Sequence, residues 1–294
     1  MNDARESAVR ESAARESVFR EPLYTTQFSP LQLRPRALLD LAANGFARWL
    51  AEHLTPFPHL LHKHRTAVVV RIARIDHEAP DLRFADASWL DVRVRVATGG
   101  SGEWLVLSLA YEAEGRVAAR ARLVMRVLSV AEPESLAAQP GALPPELLAE
   151  FTEGERLPSD EFREQARIRQ PFDLGADLFA PQEWETTLSR SQCEVADQWS
   201  FIEMIELATS ARERLFAVTD PALPADTVRP AVRAPVRSLV AFFQRPMFVF
   251  DACRTVTRAY HARQDGRTVF RHDIGHAGAA RTPGLRVWEL LDEA

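Results

Sequence analysis

Four polar side chains lie around the predicted start of one helix. Glu194, Asp197 and Gln198 precede the helix predicted over 199–216, and Glu203 lies near its start. A carboxylate can act as a general base or as a nucleophile. The unpaired backbone N–H groups and the dipole at a helix start favour negative charge beside them. The spacing therefore predicts a site in which a carboxylate acts next to a stabilised anion.

Each of these residues also has a structural interpretation. Glu194 is the candidate acid or base, and the alternative is an exposed turn or capping residue. Either Asp197 or Ser200 is expected to cap the helix. Glu203 either faces a cleft or lies on the solvated side of the helix. Gln198 is expected to orient a water molecule or a carbonyl group.

The other chemistry-bearing residues do not form a recognisable site. Cys193 has no histidine partner nearby in sequence, so a small packed residue is the favoured interpretation. Four histidines lie at the end of the first predicted helix or in the Pro-containing loop after it, and their spacing fits no standard zinc site: His53, His59, His62 and His64. The sequence therefore predicts no metal ion and no bound cofactor.

Composition and charge limit the classes of function. The chain has 294 residues, of which 46% are hydrophobic and 26% charged, as expected for a globular protein of two domains. Its formal net charge of −5 does not supply the positive field that nucleic acid or an anionic membrane attracts. Apolar runs stay far below the roughly 20 residues of a membrane span, and the N-terminus does not read as a signal peptide. We expect a cytoplasmic protein that binds neither nucleic acid nor membrane.

The elements that must position the candidate site fall into four segments. An Arg-Glu-Ser unit recurs every five residues in the stretch 1–21, a period that fits neither helix nor strand, so a low-complexity tail is predicted there. Two units with the same order of elements, 22–131 and 184–294, flank a Pro-rich linker, 132–183, that is expected to cross the surface. Each unit is predicted to have one short strand, one helix and four longer strands.

The predicted boundaries follow from apolar periodicity and from turn residues. Hairpin turns are expected at Glu114-Gly115 and Asp265-Gly266. The first unit has strands at 23–28, 66–75, 89–97, 103–111 and 116–130 and a helix at 36–54; the linker has a helix at 145–151; the second unit has strands at 184–192, 231–243, 254–262, 268–274 and 285–291 and its helix at 199–216.

An internal duplication is the simplest explanation of the repeated order. Two short stretches align between the units: 24–26 with 185–187, and 79–80 with 245–246. The first alignment places three residues of the first unit opposite the candidate site: Leu33 opposite Glu194, Arg36 opposite Asp197, and Ala37 opposite Gln198. Only the second unit then has an acid at this turn, which predicts a degenerate site in the first.

The segment 192–198, followed at helical distance by 211–215, resembles the acyl-CoA and acyl-ACP thioesterases of the hotdog superfamily. The Arg-Pro pair at 245–246 also resembles the end of their second strand. This resemblance implies an α+β fold, a tandem or double hotdog in which an antiparallel sheet wraps a long central helix in each unit. It also implies a pseudo-dimer within one chain, with a further homodimer possible.

The resemblance implies hydrolysis of an acyl-CoA or acyl-ACP thioester, with Glu194 as base or nucleophile. The plant-type double-hotdog enzymes have an acid, Asn and His at alternate positions, where this chain has Glu194, Ala196 and Gln198. This difference leaves open a non-hydrolytic step (acyl transfer, decarboxylation, cyclisation or dehydration) in polyketide or fatty-acid-like biosynthesis, or a non-catalytic acyl-binding scaffold. Four arginines are candidates for the phosphate of the carrier: Arg233, Arg237, Arg245 and Arg254.

Overall fold

The computed structural model describes residues 14–99, 101–132, 137–158, 170–194, 197–218, 225–278 and 283–292. Within these ranges the strands are β1 (Ser17–Pro22), β2 (Thr66–His77), β3 (Trp89–Gly99), β4 (Trp104–Ala113), β5 (Arg116–Glu132), β6 (Ala137–Pro140), β7 (Arg156–Leu157), β8 (Leu174–Asp177), β9 (Gln182–Thr187), β10 (Val236–Phe243), β11 (Ala252–Ala262), β12 (Thr268–His276) and β13 (Leu285–Leu291). The helices are α1 (Pro35–His53), α2 (Phe57–His62), α3 (Pro145–Ala149), α4 (Phe201–Arg214) and α5 (Ala225–Val232).

The strands form one large sheet that is antiparallel except where β7 joins β3. Its order is β1-β3-β4-β5-β2-β10-β13-β12-β11, and both β8 and β9 pair with the outer side of β11. The sheet runs outward from the β2–β10 pair in both directions. The order is β2, β5, β4, β3, β1 in the first half and β10, β13, β12, β11, β9 in the second, so corresponding strands have the same order. Asp76 lies opposite Ser238 in this pair, and Ala73 lies opposite Ala241. The sheet is continuous from one half to the other.

Both predicted hairpin turns are confirmed. β4 and β5 are joined by Glu114 and Gly115, whose φ angles of 49° and 75° lie in the left-handed region that such a two-residue turn requires. The turn between β11 and β12 places Gly266 at a φ of 75°. The long strands predicted over 66–75, 89–97, 103–111 and 116–130 are also confirmed, within a few residues at their ends.

The two longest helices pack on the same side of the sheet and contact each other. α1 begins with Pro35, whose fixed φ suits the first helical position, and packs against β1 and β3. A Cβ atom at Gly45 would lie 2.8 Å from Val94 Cγ2, so only glycine permits this close approach of helix and sheet. α4 packs against β11, β12, β13 and α1.

The predicted tail is wrong for residues 17–21, because they belong to β1. Ser17 is buried and Phe19 packs against the core, while β1 pairs with β3 from Ser17 opposite Val94. Arg15 forms an ion pair of 2.7 Å with the fully buried Glu155. The strand predicted at 23–28 is instead a turn of 3-10 helix, Thr25–Gln27. Residues 1–13 lie outside the described ranges.

The predicted surface linker is wrong for residues 137–157. β6 pairs with β5, and Leu143, Leu147 and Phe151 are buried in the core. The helix predicted at 145–151 is confirmed as α3, which begins at the paired prolines 144–145 because proline fits the first turn of a helix. Residues 133–136 and 159–169 of the predicted linker lie outside the described ranges.

Two boundaries in the second half also differ from prediction. The strand predicted at 184–192 ends at Thr187 and is followed by a 3-10 helix, Arg190–Gln192. The strand predicted from residue 231 begins at Val236, because residues 225–232 form α5. No helix in the described ranges is long and apolar enough to span a membrane.

Candidate functional site

A tight turn between β9 and α4 carries the predicted site residues. The N–H of Glu194 donates to the C=O of Gln198 at 2.8 Å, and the N–H of Asp197 donates to the C=O of Glu194 at 2.9 Å. Asp197 takes a φ of 52° to close the turn. Directly after the turn, the N–H of Trp199 donates to the C=O of Met247 at 2.8 Å. These bonds fix the Glu194 and Gln198 backbones beside the start of α4.

Glu194 and Gln198 line a cavity of about 600 Å³ that lies between the two halves. Its walls are mainly apolar, and the described polar side chains among its lining residues include Arg71 and Arg245. The first half contributes Ala43, Phe46, Phe57, Val68, Val69, Val70, Arg71, Leu107, Leu123, Met125 and Leu128; Ala138 comes from β6; and the second half contributes Glu194, Gln198, Trp199, Phe201, Met204, Phe243, Arg245, Pro246 and Phe248.

Among the described residues that line this cavity, Glu194 is the one with a carboxyl group. Its side chain is exposed to the cavity, yet the surrounding protein raises the pKa of its carboxyl group by desolvation. No side chain in the described ranges forms an ion pair with it. A carboxyl group with a raised pKa and no ion-pair partner suits proton transfer.

The start of α4 lies at the same cavity. Phe201 and Met204 line the wall, and Trp199 is fully buried next to Gln198. Ser200 is the N-cap, because its hydroxyl accepts the N–H of Ile202 at 3.4 Å. Of the two caps considered, Ser200 therefore occupies the position and Asp197 does not.

Asp197 and Glu203 do not line the cavity. Asp197 forms an ion pair of 2.9 Å with Arg190, and both side chains are exposed. Glu203 lies between the helices, where it accepts two hydrogen bonds from Arg36 of α1, at 3.1 and 2.5 Å. Neither carboxylate is therefore placed to contact a molecule that binds in the cavity next to Glu194.

The first half contains a turn with the same bonding pattern. It also follows a 3-10 helix, and the N–H of Ser29 donates to the C=O of Gln32 at 2.9 Å. Bridges between Phe28 and Leu33, and between Cys193 and Trp199, close the two turns alike. Ser29 thus corresponds to Glu194 and Gln32 to Gln198. The sequence alignment that placed Leu33, Arg36 and Ala37 opposite the site is wrong. The strand before the first turn is β1, which ends before the segment 24–26 used for that alignment, and the first turn is one residue shorter than the second.

Gln32 is buried and fully engaged. Its Oε1 accepts the N–H of Val236 at the start of β10, and its Nε2 donates to the Val236 C=O at 3.3 Å. His77 Nε2 lies 3.1 Å from the same amide nitrogen. Gln198, by contrast, faces the open cavity. The two halves therefore use equivalent glutamines differently.

The first-half wall was missing from the sequence prediction. Phe46 and Phe57 belong to this wall, but the apolar pattern of a sequence indicates only that a residue is buried and not which element it meets. Arg71 of the same wall lies within a predicted strand, where a single arginine does not indicate a site. Of the four arginines considered for phosphate binding, Arg245 lines the cavity, whereas Arg254 pairs with Glu183 at 2.5 Å.

Several solved structures that are described as thioesterases have a similar fold. A protein described as an oleoyl thioesterase from Lactobacillus plantarum has a TM-score of 0.69 at 12% identity, over 95% of this chain and 97% of that one. The 12:0-ACP thioesterase from Umbellularia californica has a TM-score of 0.68 at 10% identity, over 95% and 94%. An acyl-ACP thioesterase from Bacteroides thetaiotaomicron has a TM-score of 0.63 at 11% identity, over 94% and 98%.

These likenesses show the fold, and they confirm the resemblance to hotdog-fold thioesterases seen in the sequence. No protein-family model matches the chain, and no curated protein matches it.

Proposed function

We propose that this protein hydrolyses an acyl thioester of CoA or of an acyl carrier protein. The observation that carries the proposal is the apolar cavity of about 600 Å³ with the Glu194 carboxyl group on its wall and the start of α4 beside it. In this proposal residues 22–131 and 184–294, together with β1, are two hotdog units with α1 and α4 as their central helices. They form a pseudo-dimer with one working cleft.

The first half is proposed to hold the acyl chain. Phe46, Leu107, Leu123 and Met125 present apolar surface to the cavity from α1, β4 and β5. Each methylene group buried there contributes about 0.8 kcal/mol. The thioester carbonyl then lies near Glu194, on the side of the cavity that the second half provides.

The proposed chemistry requires a base and an anion-stabilising group. The Glu194 carboxylate takes a proton from a water molecule, whose oxygen attacks the thioester carbon. Backbone N–H groups at the start of α4 and the Gln198 amide stabilise the negative charge that develops on the carbonyl oxygen. The C–S bond then breaks, and the protonated Glu194 returns its proton to the sulfur. The products are a carboxylic acid and a free thiol.

Arg245 is the proposed contact for the carrier. It is exposed where β10 ends and lines the cavity together with Pro246. A guanidinium group at this position can bind the phosphate of CoA or of the carrier's pantetheine arm with two hydrogen bonds. Because the whole chain is net negative, an acidic carrier needs such a local positive group.

The test is thiol release from a panel of acyl-CoA and acyl-carrier substrates of graded chain length. The proposal predicts that the wild type releases thiol from at least one substrate and that the variant Glu194→Gln does not. Asp197→Asn is the matched control, since it removes a carboxylate from the same turn, outside the cavity, and Asn tolerates the positive φ there. A panel that releases no thiol contradicts the proposal.

A second candidate keeps the acyl thioester and omits hydrolysis. It is favoured by the lining of the cavity, where the described residues include no histidine to pair with Glu194. The chain would then bind an acyl group without turnover, or perform acyl transfer, decarboxylation, cyclisation or dehydration on it. Intact mass spectrometry of an acyl-carrier substrate separates these outcomes, because the loss of the acyl group, of carbon dioxide or of water changes the mass differently.

A further inference from the structure

A turn of four residues, 248–251, lies at the rim of the Glu194 cavity, and we call it the rim turn. The N–H of Asp251 donates to the C=O of Phe248 at 3.1 Å, and the Asp251 carboxylate accepts the N–H of Phe248 at 2.7 Å. Phe248 itself lines the cavity and forms a β-bridge with Gln198. The rim turn is therefore joined to the segment that carries the candidate base.

Phe250, at the third position of the rim turn, has a backbone conformation that a large side chain rarely adopts. Its φ of 70° lies in the left-handed region, where glycine or asparagine is favoured at this position of a turn. In the corresponding turn of the first half, 83–86, the N–H of Arg83 donates to the Asp86 carboxylate at 2.7 Å. Ala85 takes the place of Phe250 there and has no positive φ. A phenyl ring is thus not needed to form such a turn.

The ring of Phe250 is open to solvent beside the cavity. Of its surface 68% is exposed, the highest value for a large hydrophobic side chain in the described ranges. The guanidinium group of Arg190 lies over the ring, 6.0 Å from its centroid. Phe248, in the same turn, is 44% exposed. A strained backbone that holds an aromatic ring out into solvent indicates a contact with a ligand.

An exposed aromatic ring beside an arginine is a surface on which a nucleobase stacks. The two carriers considered for the substrate differ here, because CoA ends in an adenosine and an acyl carrier protein presents a folded surface. A protein interface buries about 800 Å² on each partner and has a core of several apolar side chains. In the second half, the exposed large hydrophobic side chains among the described residues are Phe248, Phe250 and, past the other end of α4, Phe216. Two rings at the rim suit a single planar base better than a protein surface.

We propose that the adenine of CoA stacks on Phe250, so that CoA is the carrier of the acyl group. This inference rests on the proposed function, because it names the carrier for the same cavity. Arg245 precedes the rim turn and lines the cavity, where a guanidinium group can bind the phosphates of CoA. The pantetheine arm then leaves the cavity past Arg245, and the adenine reaches the ring of Phe250.

The test is saturation-transfer NMR with CoA, which has no acyl group and therefore reports binding without hydrolysis. The proposal predicts saturation of the carbon-bound protons of the adenine ring by the wild type. Phe250→Asn is expected to lose this saturation, because asparagine tolerates the positive φ and removes the ring. The methyl protons of the pantetheine arm are expected to be saturated by both proteins. Saturation of the arm alone by the wild type, or no saturation at all, overturns the proposal.

Calorimetric titration with CoA and with phosphopantetheine measures the contribution of the ring to affinity. Phosphopantetheine is the part of CoA that a carrier protein also has. Phe250→Asn is expected to raise the Kd of CoA about tenfold and to leave the Kd of phosphopantetheine unchanged. Phe216→Asn is the matched control, since its ring is 43% exposed and lies 4.8 Å from the guanidinium group of Arg233, outside the cavity. This control is expected to change neither Kd.

The outcomes separate this proposal from the proposed hydrolysis. If the Kd of CoA is the same for the wild type and Phe250→Asn, the adenine contact is wrong even where acyl-carrier substrates release thiol. If CoA binds through Phe250 and no acyl-CoA releases thiol, the adenine contact is supported and the hydrolysis is contradicted.

Discussion

Ser29 and Glu194 occupy the same position in equivalent turns of the two halves. Each donates its backbone N–H to the glutamine C=O that closes its turn, at 2.9 Å in the first half and 2.8 Å in the second. Ser29 offers a hydroxyl group where Glu194 offers a carboxyl group with a raised pKa. Of these two similar turns, the second thus carries the candidate base, and we expect a single active cleft per chain.

The pH dependence of activity follows from the raised pKa of Glu194. A general base works in its ionised form, so kcat/KM is expected to rise with pH through an apparent pKa above the ordinary range of a glutamate. The measurement is a pH profile of kcat/KM for thiol release by the wild type and by Asp197→Asn. The two profiles are expected to have the same inflection. An inflection in the ordinary range of a glutamate or below it contradicts the assignment of Glu194 as base.

Chain-length preference depends on the first-half wall. Ala43→Phe places a ring in the cavity from α1 and shortens the space for an acyl chain. If two methylene groups lose their place, the ratio of kcat/KM for long over short chains falls by about tenfold. Asn44→Phe is the control, because Asn44 is exposed, bonds to Arg48 at 3.1 Å and does not line the cavity. An unchanged ratio in Ala43→Phe argues against an acyl chain at this wall.

His77 makes stability depend on pH. Its burial lowers the pKa of the imidazole to about 4, so the ring is neutral in the folded protein, whereas it has a pKa of about 6.5 when unfolded. Between these values the unfolded chain binds more protons, and stability falls as pH falls. This residue is expected to cost about 2 kcal/mol between pH 7 and pH 4.5.

Urea unfolding of the wild type and of His77→Leu at several pH values checks this prediction. The variant is less stable at pH 7, because the Gln32 amide loses a neighbour, but its stability falls less steeply below pH 6.5. If the free energy of unfolding changes with pH in the same way for both proteins, His77 does not titrate in this range.

A buried charge network holds α4 on the sheet. Arg212 forms an ion pair of 2.9 Å with Glu289 of β13, which also accepts a hydrogen bond from Thr209 and lies 3.4 Å from His272. Arg212 lowers the pKa of Glu289 to about 2 against the effect of burial, aided by bonds from His272 and Thr209. Glu289→Gln is expected to cost about 3–5 kcal/mol, because it leaves Arg212 buried without a counter-charge.

Urea unfolding of three variants tests that network. Glu183→Gln breaks the exposed ion pair with Arg254 and is expected to cost less than about 1 kcal/mol. Arg212→Met/Glu289→Leu removes both buried charges and is expected to recover much of the stability lost in Glu289→Gln. If Glu289→Gln costs no more than Glu183→Gln, the buried pair does not stabilise the contact of α4 with the sheet.

The sequence predicted the elements that carry strong periodicity. α1 was expected at 36–54 and is observed at Pro35–His53, since its broad apolar face fits only a helix. β1 was not predicted, because its burial comes from pairing with β3, far along the chain, and its residues resemble the repeat that precedes them.

The candidate site was predicted only in part, because some of its contacts join elements that are distant in sequence. Glu194 and Gln198 line the same cavity, but Asp197 and Glu203 form ion pairs with Arg190 and Arg36 instead. Ion pairs of this kind depend on the approach of distant elements. The equivalence of Ser29 and Glu194 was likewise hidden, because hydrogen bonds define it and sequence identity between the halves is faint.

The most direct measurement is the rate of thiol release from the best acyl-thioester substrate by the wild type, Glu194→Gln and Asp197→Asn. Loss of a general base lowers kcat by about 100- to 10,000-fold, and we predict this loss for Glu194→Gln alone. Asp197→Asn is expected to stay within about threefold of the wild type, as for an exposed ion pair. Wild-type rates in Glu194→Gln would contradict the central claim that Glu194 is the catalytic base.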